Sequence, residues 1–165
     1  MSGLHFILGG ARSGKSRHAE ALVEALPPPW TYFATAQAWD DEMRARITAH
    51  RARRPPGWLT VEAPLALPDA VRQVPGPVLI DCLTLWLTNL LLAESDMPAA
   101  TEALLAALAR PALTVVVSTE TGLGIVPDNA LARRFRDAAG LLHQRVAAQA
   151  DHVLLMVAGL PLRIK

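Results

Sequence analysis

Residues 9–16 read GGARSGKS, and this stretch decides the fold. It matches the spacing G-x-x-x-x-G-K-[ST]. It follows the apolar run LHFIL at 4–8 and leads into KSRHAEALVEAL at 15–26. In that second run Ala19, Leu22, Val23 and Leu26 recur at helical spacing before Pro27, Pro28 and Pro29 end the pattern. Strand, glycine-rich turn and helix in that order aim successive backbone N–H groups and a helix N-terminus at one point, an arrangement suited to a phosphate chain. Gly9, Gly10, Ala11, Arg12, Ser13 and Gly14 then form the cradle. Lys15 reaches the β and γ phosphates, and the Ser16 hydroxyl is a ligand for Mg²⁺.

A chain of 165 residues with 52% hydrophobic composition has material for one core, so the sequence predicts one catalytic domain over 1–165. The formal charge of +1 gives no global attraction to nucleic acid or to a membrane surface. Cys82 stands alone, which excludes an internal disulfide and a cysteine-based metal site. The N-terminus enters the first strand without the features of a secretory signal, and the apolar stretch at 83–93, broken by Thr84, Thr88 and Asn89, is too short to span a bilayer. A cytoplasmic enzyme with no membrane insertion and no nucleic-acid partner is expected, with 83–93 as a buried helix.

Strand-like runs recur at 4–8, 30–34, 59–61, 78–80, 113–117 and 153–157. Helical patterns at 15–26, 40–50, 84–93, 99–109 and 129–150 fall between most of them, the last capped by Asp128 or Asn129. The alternation predicts an α/β fold around a mostly parallel sheet. Proline clusters at 27–29, 55–56 and 75–77 mark loops within it.

Asp81 ends the apolar run PVLID, so its carboxylate is placed to organise a metal at the tip of a strand beside the phosphate loop; the other reading is the N-cap of the next segment, and the two roles can coexist. Glu120, in STETGLGIVP, lies either in a loop shaped around a ligand or in a solvated turn. In DDEMRARITAHRARR at 40–54 the acids suit a helix start and the arginines its end. His50 shares a helix face with Arg46 and adjoins the apolar pair Met43 and Ile47. A neutral imidazole among cations can attack phosphorus, and a histidine at a helix end can also merely cap it or face solvent. His5, His18, His143 and His152 read as structural or surface residues, with no metal-ligand spacing. Arg133, Arg134 and Arg136 form a basic cluster that either meets phosphates from a neighbouring subunit or is a solvated helix face.

Taken in order, GGARSGKSRHAE, TYFATAQ, DDEMRARITAHRARRPPGWLTVEAP, DCLTLWLTNLL and TETGLGIVPDNALARRFRDAAGLLHQRVAAQADHV span essentially the whole chain. Together they resemble the bifunctional adenosylcobinamide kinase/adenosylcobinamide-phosphate guanylyltransferase family of cobalamin biosynthesis. The blocks R-I-x-x-H-x-x-x-R-P-x-x-W and G-x-G-I-V-P-x-N are specific to that resemblance. It implies a RecA-like P-loop NTPase fold, a homotrimer, ATP and GTP as nucleotide substrates with Mg²⁺, and adenosylcobinamide and its phosphate as acceptors. It implies that His50 becomes guanylylated and that Lys15 assists catalysis. It extends nucleotide contact beyond the loop to Ala34, Thr35 and Ala36, to Arg51, Ala52, Arg53 and Arg54, and to Glu62 and Asp81. Some members carry Glu where this chain has Asp81, Asn where it has Thr119, and a second histidine where it has Ala49. The alternatives to this reading are a P-loop kinase with one activity and a RecA-like nucleotide-switch ATPase.

Overall fold

The computed structural model describes residues 2–37, 41–52 and 54–165; within 41–52 the side chains of Glu42, Met43, Arg46 and His50 lie outside the description. Asp40, the expected start of the second helix, and Arg53 also lie outside it.

Along the chain run β1 (Leu4–Gly9), α1 (Lys15–Glu24), β2 (Trp30–Ala34), α2 (Asp41–Ala52), β3 (Trp58–Glu62), α3 (Leu67–Arg72) and β4 (Val78–Asp81). They are followed by α4 (Leu83–Leu92), α5 (Met97–Leu108), β5 (Thr114–Thr119), α6 (Ala130–Gln149), β6 (His152–Val157) and β7 (Leu160–Arg163). The seven strands form one sheet in the order β3-β2-β4-β5-β1-β6-β7. Every pairing is parallel except that of β6 with β7.

The central strands are buried on both faces, which is why they read as unbroken apolar runs. In β1 Phe6 and Ile7 are both fully buried, Phe6 in the cluster that includes side chains of α3 to α6 and Ile7 in the cluster that includes Ala19 and Val23 of α1. The same alternation sends Ile80 and Val116 to the first side and Leu79 and Val117 to the second. Four helices thus cover one face, and α1 packs on the other behind the phosphate loop.

All six expected strands are present, and the 83–93 stretch is a helix whose Leu83, Trp86, Leu87 and Leu90 are buried. No helix among the described residues is long and apolar enough to cross a membrane. Asn129, not Asp128, caps α6: its Oδ1 accepts from the backbone N–H of Leu131 at 2.8 Å and of Ala132 at 3.2 Å. Two elements were not expected. Helix α3 spans only six residues, too few for a periodic pattern. Strand β7 follows a two-residue turn in which Ala158 (φ 51°) and Gly159 (φ 83°) are both left-handed. That geometry matches the strand twist, but Ala-Gly lacks the Asn-Gly or Asp-Gly signal by which such hairpins are recognised.

His143 on α6 lies 2.7 Å, Nε2 to Oγ, from the buried Ser118 of β5. Burial lowers its pKa below the ordinary 6.5, with Glu120 opposing, and burial likewise lowers His5 and His18. A histidine whose folded-state pKa is depressed stabilises the fold while neutral. That contribution is present above 6.5 and is lost as pH falls through the lower folded value. The melting temperature therefore falls as pH drops from 7 toward 5, and His143→Gln flattens the slope. Thermal unfolding across this range checks both; an unchanged slope in the variant would remove His143 from the account.

Candidate active site

The site begins where β1 ends. A Cβ on Gly9 would lie 2.5 Å from Ser13 Oγ and 2.8 Å from the Met156 carbonyl oxygen, so no larger residue fits there without displacing backbone. Arg12 (φ 55°) and Gly14 (φ 89°) then turn left-handed, and Gly14 caps α1 with no side-chain bond. The first N–H groups of α1 therefore face the loop, ready for an anion. Lys15 Nζ donates to the Gly10 carbonyl at 2.8 Å, which holds the ammonium over the loop. Burial lowers the Lys15 pKa while Asp81 and Cys82 oppose the shift. The turn between β6 and β7 braces the loop from outside, since the Gly159 N–H donates to the Ser13 carbonyl at 3.1 Å.

The parallel register brings the remaining groups to the same edge. Glu62, Ala34, Asp81 and Val117 are successive Cα partners across β3, β2, β4 and β5. Strand β4 is not directly beside β1, because β5 lies between them, yet its tip reaches the same edge. The edge opens into a cleft of about 620 Å³, within the range of small-molecule sites. Lys15, Ser16, Ala34, Ala36, Arg51, Arg54, Glu62 and Asp81 all line it.

Several sequence expectations resolve differently. Thr35 is fully buried and does not line the cleft. Its hydroxyl donates to the Cys82 carbonyl at 2.7 Å and accepts from the Cys82 N–H at 2.8 Å, so it holds the backbone that follows Asp81. Asp81 is not the cap of α4: that position is Cys82, and no side chain bonds there. Ala52 is exposed at the end of α2. Glu120 bonds locally, its Oε1 accepting from the Gly122 N–H at 2.5 Å, while its own N–H donates to the Gly9 carbonyl at 3.1 Å. Arg133 donates to the carbonyls of Pro127 (2.9 Å) and Asp128 (2.6 Å), Arg136 pairs with the neighbouring Asp137, and Arg134 is exposed. Within the chain, the basic cluster on α6 thus bonds its own loop through Arg133 and its own helix through Arg136. Cys82 lines the cleft, but burial pushes its thiol up to about 11 and keeps it protonated.

Sequence reading missed several polar residues. Tyr32 and Thr60 line the cleft, and the Arg54 guanidinium lies 3.7 Å above the Tyr32 ring while its Nη1 donates to Thr60 Oγ1 at 3.2 Å. Asn89 is buried on α4, where its Nδ2 donates to the carbonyls of Thr35 (2.8 Å) and Pro64 (3.0 Å). Its signal was there to read: an amide inside the apolar helix LTLWLTNLLL needs partners. On α2, Ile47 and Arg51 line the cleft one turn apart, and His50 belongs to the same helix between them.

The donor set suits Mg²⁺. A hydroxyl (Ser16) and a carboxylate (Asp81) in one cleft are hard oxygen ligands, and Mg²⁺ is commonly held by one or two such groups together with substrate phosphates.

Comparison with known proteins agrees with this geometry. The family described as cobinamide kinase / cobinamide phosphate guanyltransferase matches residues 5–164. The chain is 51% identical to the bifunctional adenosylcobalamin biosynthesis protein CobP of Pseudomonas aeruginosa, over 96% of this chain and 95% of that one. It is 44% identical to the bifunctional adenosylcobalamin biosynthesis protein CobU of Salmonella typhimurium, over 96% of this chain and 98% of that one. In fold it is similar to a prototypical ATPase from a bacterial type III secretion system, with a TM-score of 0.55 at 12% identity over 93% of this chain and 50% of that one. The mostly parallel α/β sheet is that of the P-loop NTPases.

Thr35→Val keeps the shape of the side chain but leaves the Cys82 N–H without its partner, while the Cys82 carbonyl still accepts from the Trp86 N–H at 3.2 Å, at a cost of about 1–3 kcal/mol. Because the same backbone carries Asp81, nucleotide affinity falls with stability. Chemical denaturation and nucleotide titration of the variant check this; unchanged stability would show that the pairing contributes nothing.

Proposed function

The chain belongs to the cobinamide kinase/cobinamide phosphate guanyltransferase family, and from that premise we propose that one cleft carries out both reactions, with His50 as the residue that takes up GMP. The observation that carries the reading is the convergence, on one sheet edge, of the phosphate loop, the Asp81 carboxylate and the cleft-lining positions of α2.

In the kinase step, the N–H groups at the start of α1 and the Lys15 ammonium bind the polyphosphate of ATP or GTP. The hydroxyl of the aminopropanol arm of adenosylcobinamide attacks the γ-phosphorus, and the nucleoside diphosphate leaves as its bridging oxygen takes the electron pair. Ser16 and Asp81 would hold Mg²⁺, which when bound offsets charge on the phosphate oxygens. In the transfer step, an imidazole nitrogen of His50 attacks the α-phosphorus of GTP, a P–N bond forms and pyrophosphate departs. A phosphate oxygen of adenosylcobinamide phosphate then displaces His50 and yields adenosylcobinamide-GDP. The loop that binds β and γ phosphates also stabilises departing pyrophosphate, so one cradle serves both attacks. Arg51 and Arg54, which line the cleft, and Arg53 supply positive charge for the phosphates.

On this reading residues 1–165 act as one catalytic domain, in the cytoplasm and as a homotrimer. The exposed Val157, Leu160, Leu162 and Ile164 of the β6–β7 hairpin and the exposed Leu123 and Ile125 are apolar surface of the kind a neighbouring subunit covers.

Lys15→Ala is expected to lower both activities by at least about a hundredfold, since both need the same cradle. Unchanged guanylyl transfer by the folded variant would place the α-phosphorus chemistry elsewhere. His50→Ala is expected to abolish covalent labelling by α-labelled GTP while nucleotide binding persists. In the parent protein the label should be lost in acid and kept in alkali, as a phosphorus–nitrogen bond requires. Label on a peptide lacking His50 refutes the covalent route, and a fully active monomer by light scattering refutes the trimer.

A further inference from the structure

Tyr32 brings to the core of β2 (WTYFA) a hydroxyl that packing does not require, because phenylalanine fills the same space. The ring is 5% exposed, on the face of the sheet that α1 covers. Parallel register pairs Tyr32 with Leu79 and Ala34 with Asp81. Tyr32 and Ala34 point to the same face, so Asp81 is the diagonal neighbour of Tyr32 on that face. A diagonal neighbour lies within reach of an aromatic side chain, and Tyr32 and Asp81 line the same cleft, so the phenol hydroxyl and the Asp81 carboxylate are neighbours there. On the ring itself sits the Arg54 guanidinium, 3.7 Å from the centroid, which is further tied to Thr60.

One side chain therefore has the acid at the tip of β4 within reach of its oxygen and carries the cation after α2 on its π face. A carboxylate that accepts a fixed hydrogen bond on one side is restrained in rotation, and such outer partners set how well a carboxylate holds a metal. A guanidinium seated on a ring in a cleft loses little further freedom when it meets a phosphate.

We propose that Tyr32 is a positioning residue for the metal–nucleotide complex: its hydroxyl aims the Asp81 carboxylate into the cleft and its ring seats Arg54. The proposal rests on the reading above, in which Asp81 takes Mg²⁺. The division between oxygen and ring makes it separable. Tyr32→Phe removes only the bond to Asp81; Arg54→Lys keeps the charge and removes the planar stack.

The test is calorimetric titration of the full-length protein with a non-hydrolysable GTP analogue, once in Mg²⁺ and once in EDTA. Tyr32→Phe should lose about tenfold or more in affinity in Mg²⁺ and little in EDTA, and should need more Mg²⁺ to reach half of its full affinity. Arg54→Lys should lose affinity to the same extent in both conditions. Parent-like binding by Tyr32→Phe, or an equal loss with and without Mg²⁺, overturns the proposal, since a merely structural role would weaken both alike. A loss by Arg54→Lys confined to Mg²⁺ overturns the assignment of the ring. Asp81→Asn separates the two levels. If it loses affinity only in Mg²⁺ while Tyr32→Phe does not, the role of Tyr32 fails and that of Asp81 stands. If Asp81→Asn shows no Mg²⁺-specific loss, Asp81 is not the metal acid and the role of Tyr32 falls with it.

Discussion

Six strands that run in the same direction put every strand-to-helix turn on one edge of the sheet, and the chemistry of this protein depends on that constraint. Residues far apart in sequence meet only because their strands end together. Lys15 and Ser16 follow β1, Ala34 and Ala36 end or follow β2, Glu62 ends β3 and Asp81 ends β4. A slip of one residue in the register of β4 would turn Asp81 to the other face and remove the carboxylate from the cleft. Burial of both faces of β4, with Val78, Leu79 and Ile80 fully buried, is what makes that slip costly.

The edge is stiffened by polar groups buried behind the cleft. Thr35 locks the backbone after Asp81, and Asn89 reaches from α4 to the carbonyls of Thr35 and Pro64. Trp86 on the same helix donates its indole N–H to the Leu65 carbonyl at 3.0 Å. Loops at the carboxyl end of a sheet would otherwise carry backbone groups cut off from water. Here α4 satisfies them with side chains, so the turns after β2 and β3 are held by the core rather than by their own sequence. The Gly159 N–H does the same for the phosphate loop from the opposite side.

Charge in the cleft is mixed rather than uniformly basic, which suits a site that must bind polyphosphate and also release products. Lys15, Arg51 and Arg54 line the cleft together with Asp81, Glu62 and Tyr32. With a formal charge of only +1 over the chain, attraction for nucleotide comes from this local placement and from the dipole of α1, not from a long-range field.

The β1–loop–α1 unit was legible in the sequence because all of its determinants are local: an apolar run, glycines where backbone crowds, and a helical repeat within 23 residues at 4–26. The parallel α/β class followed from alternating periods, and Asp81 from its place at the end of an apolar run. The hairpin of β7 was not legible, since its turn conformation is imposed by strand twist on an Ala-Gly pair that carries no signal of its own. Nor could sequence separate Thr35, which turns inward to hold Cys82, from its neighbours Ala34 and Ala36, which line the cleft; strand direction and register decide that. The stacking of Arg54 on Tyr32, and the diagonal placement of Tyr32 beside Asp81, join residues from three separate segments. Spacing along a chain records which side chains share a strand or a helix face, whereas contact between segments is set by the order in which strands pair, and only the folded sheet supplies that order.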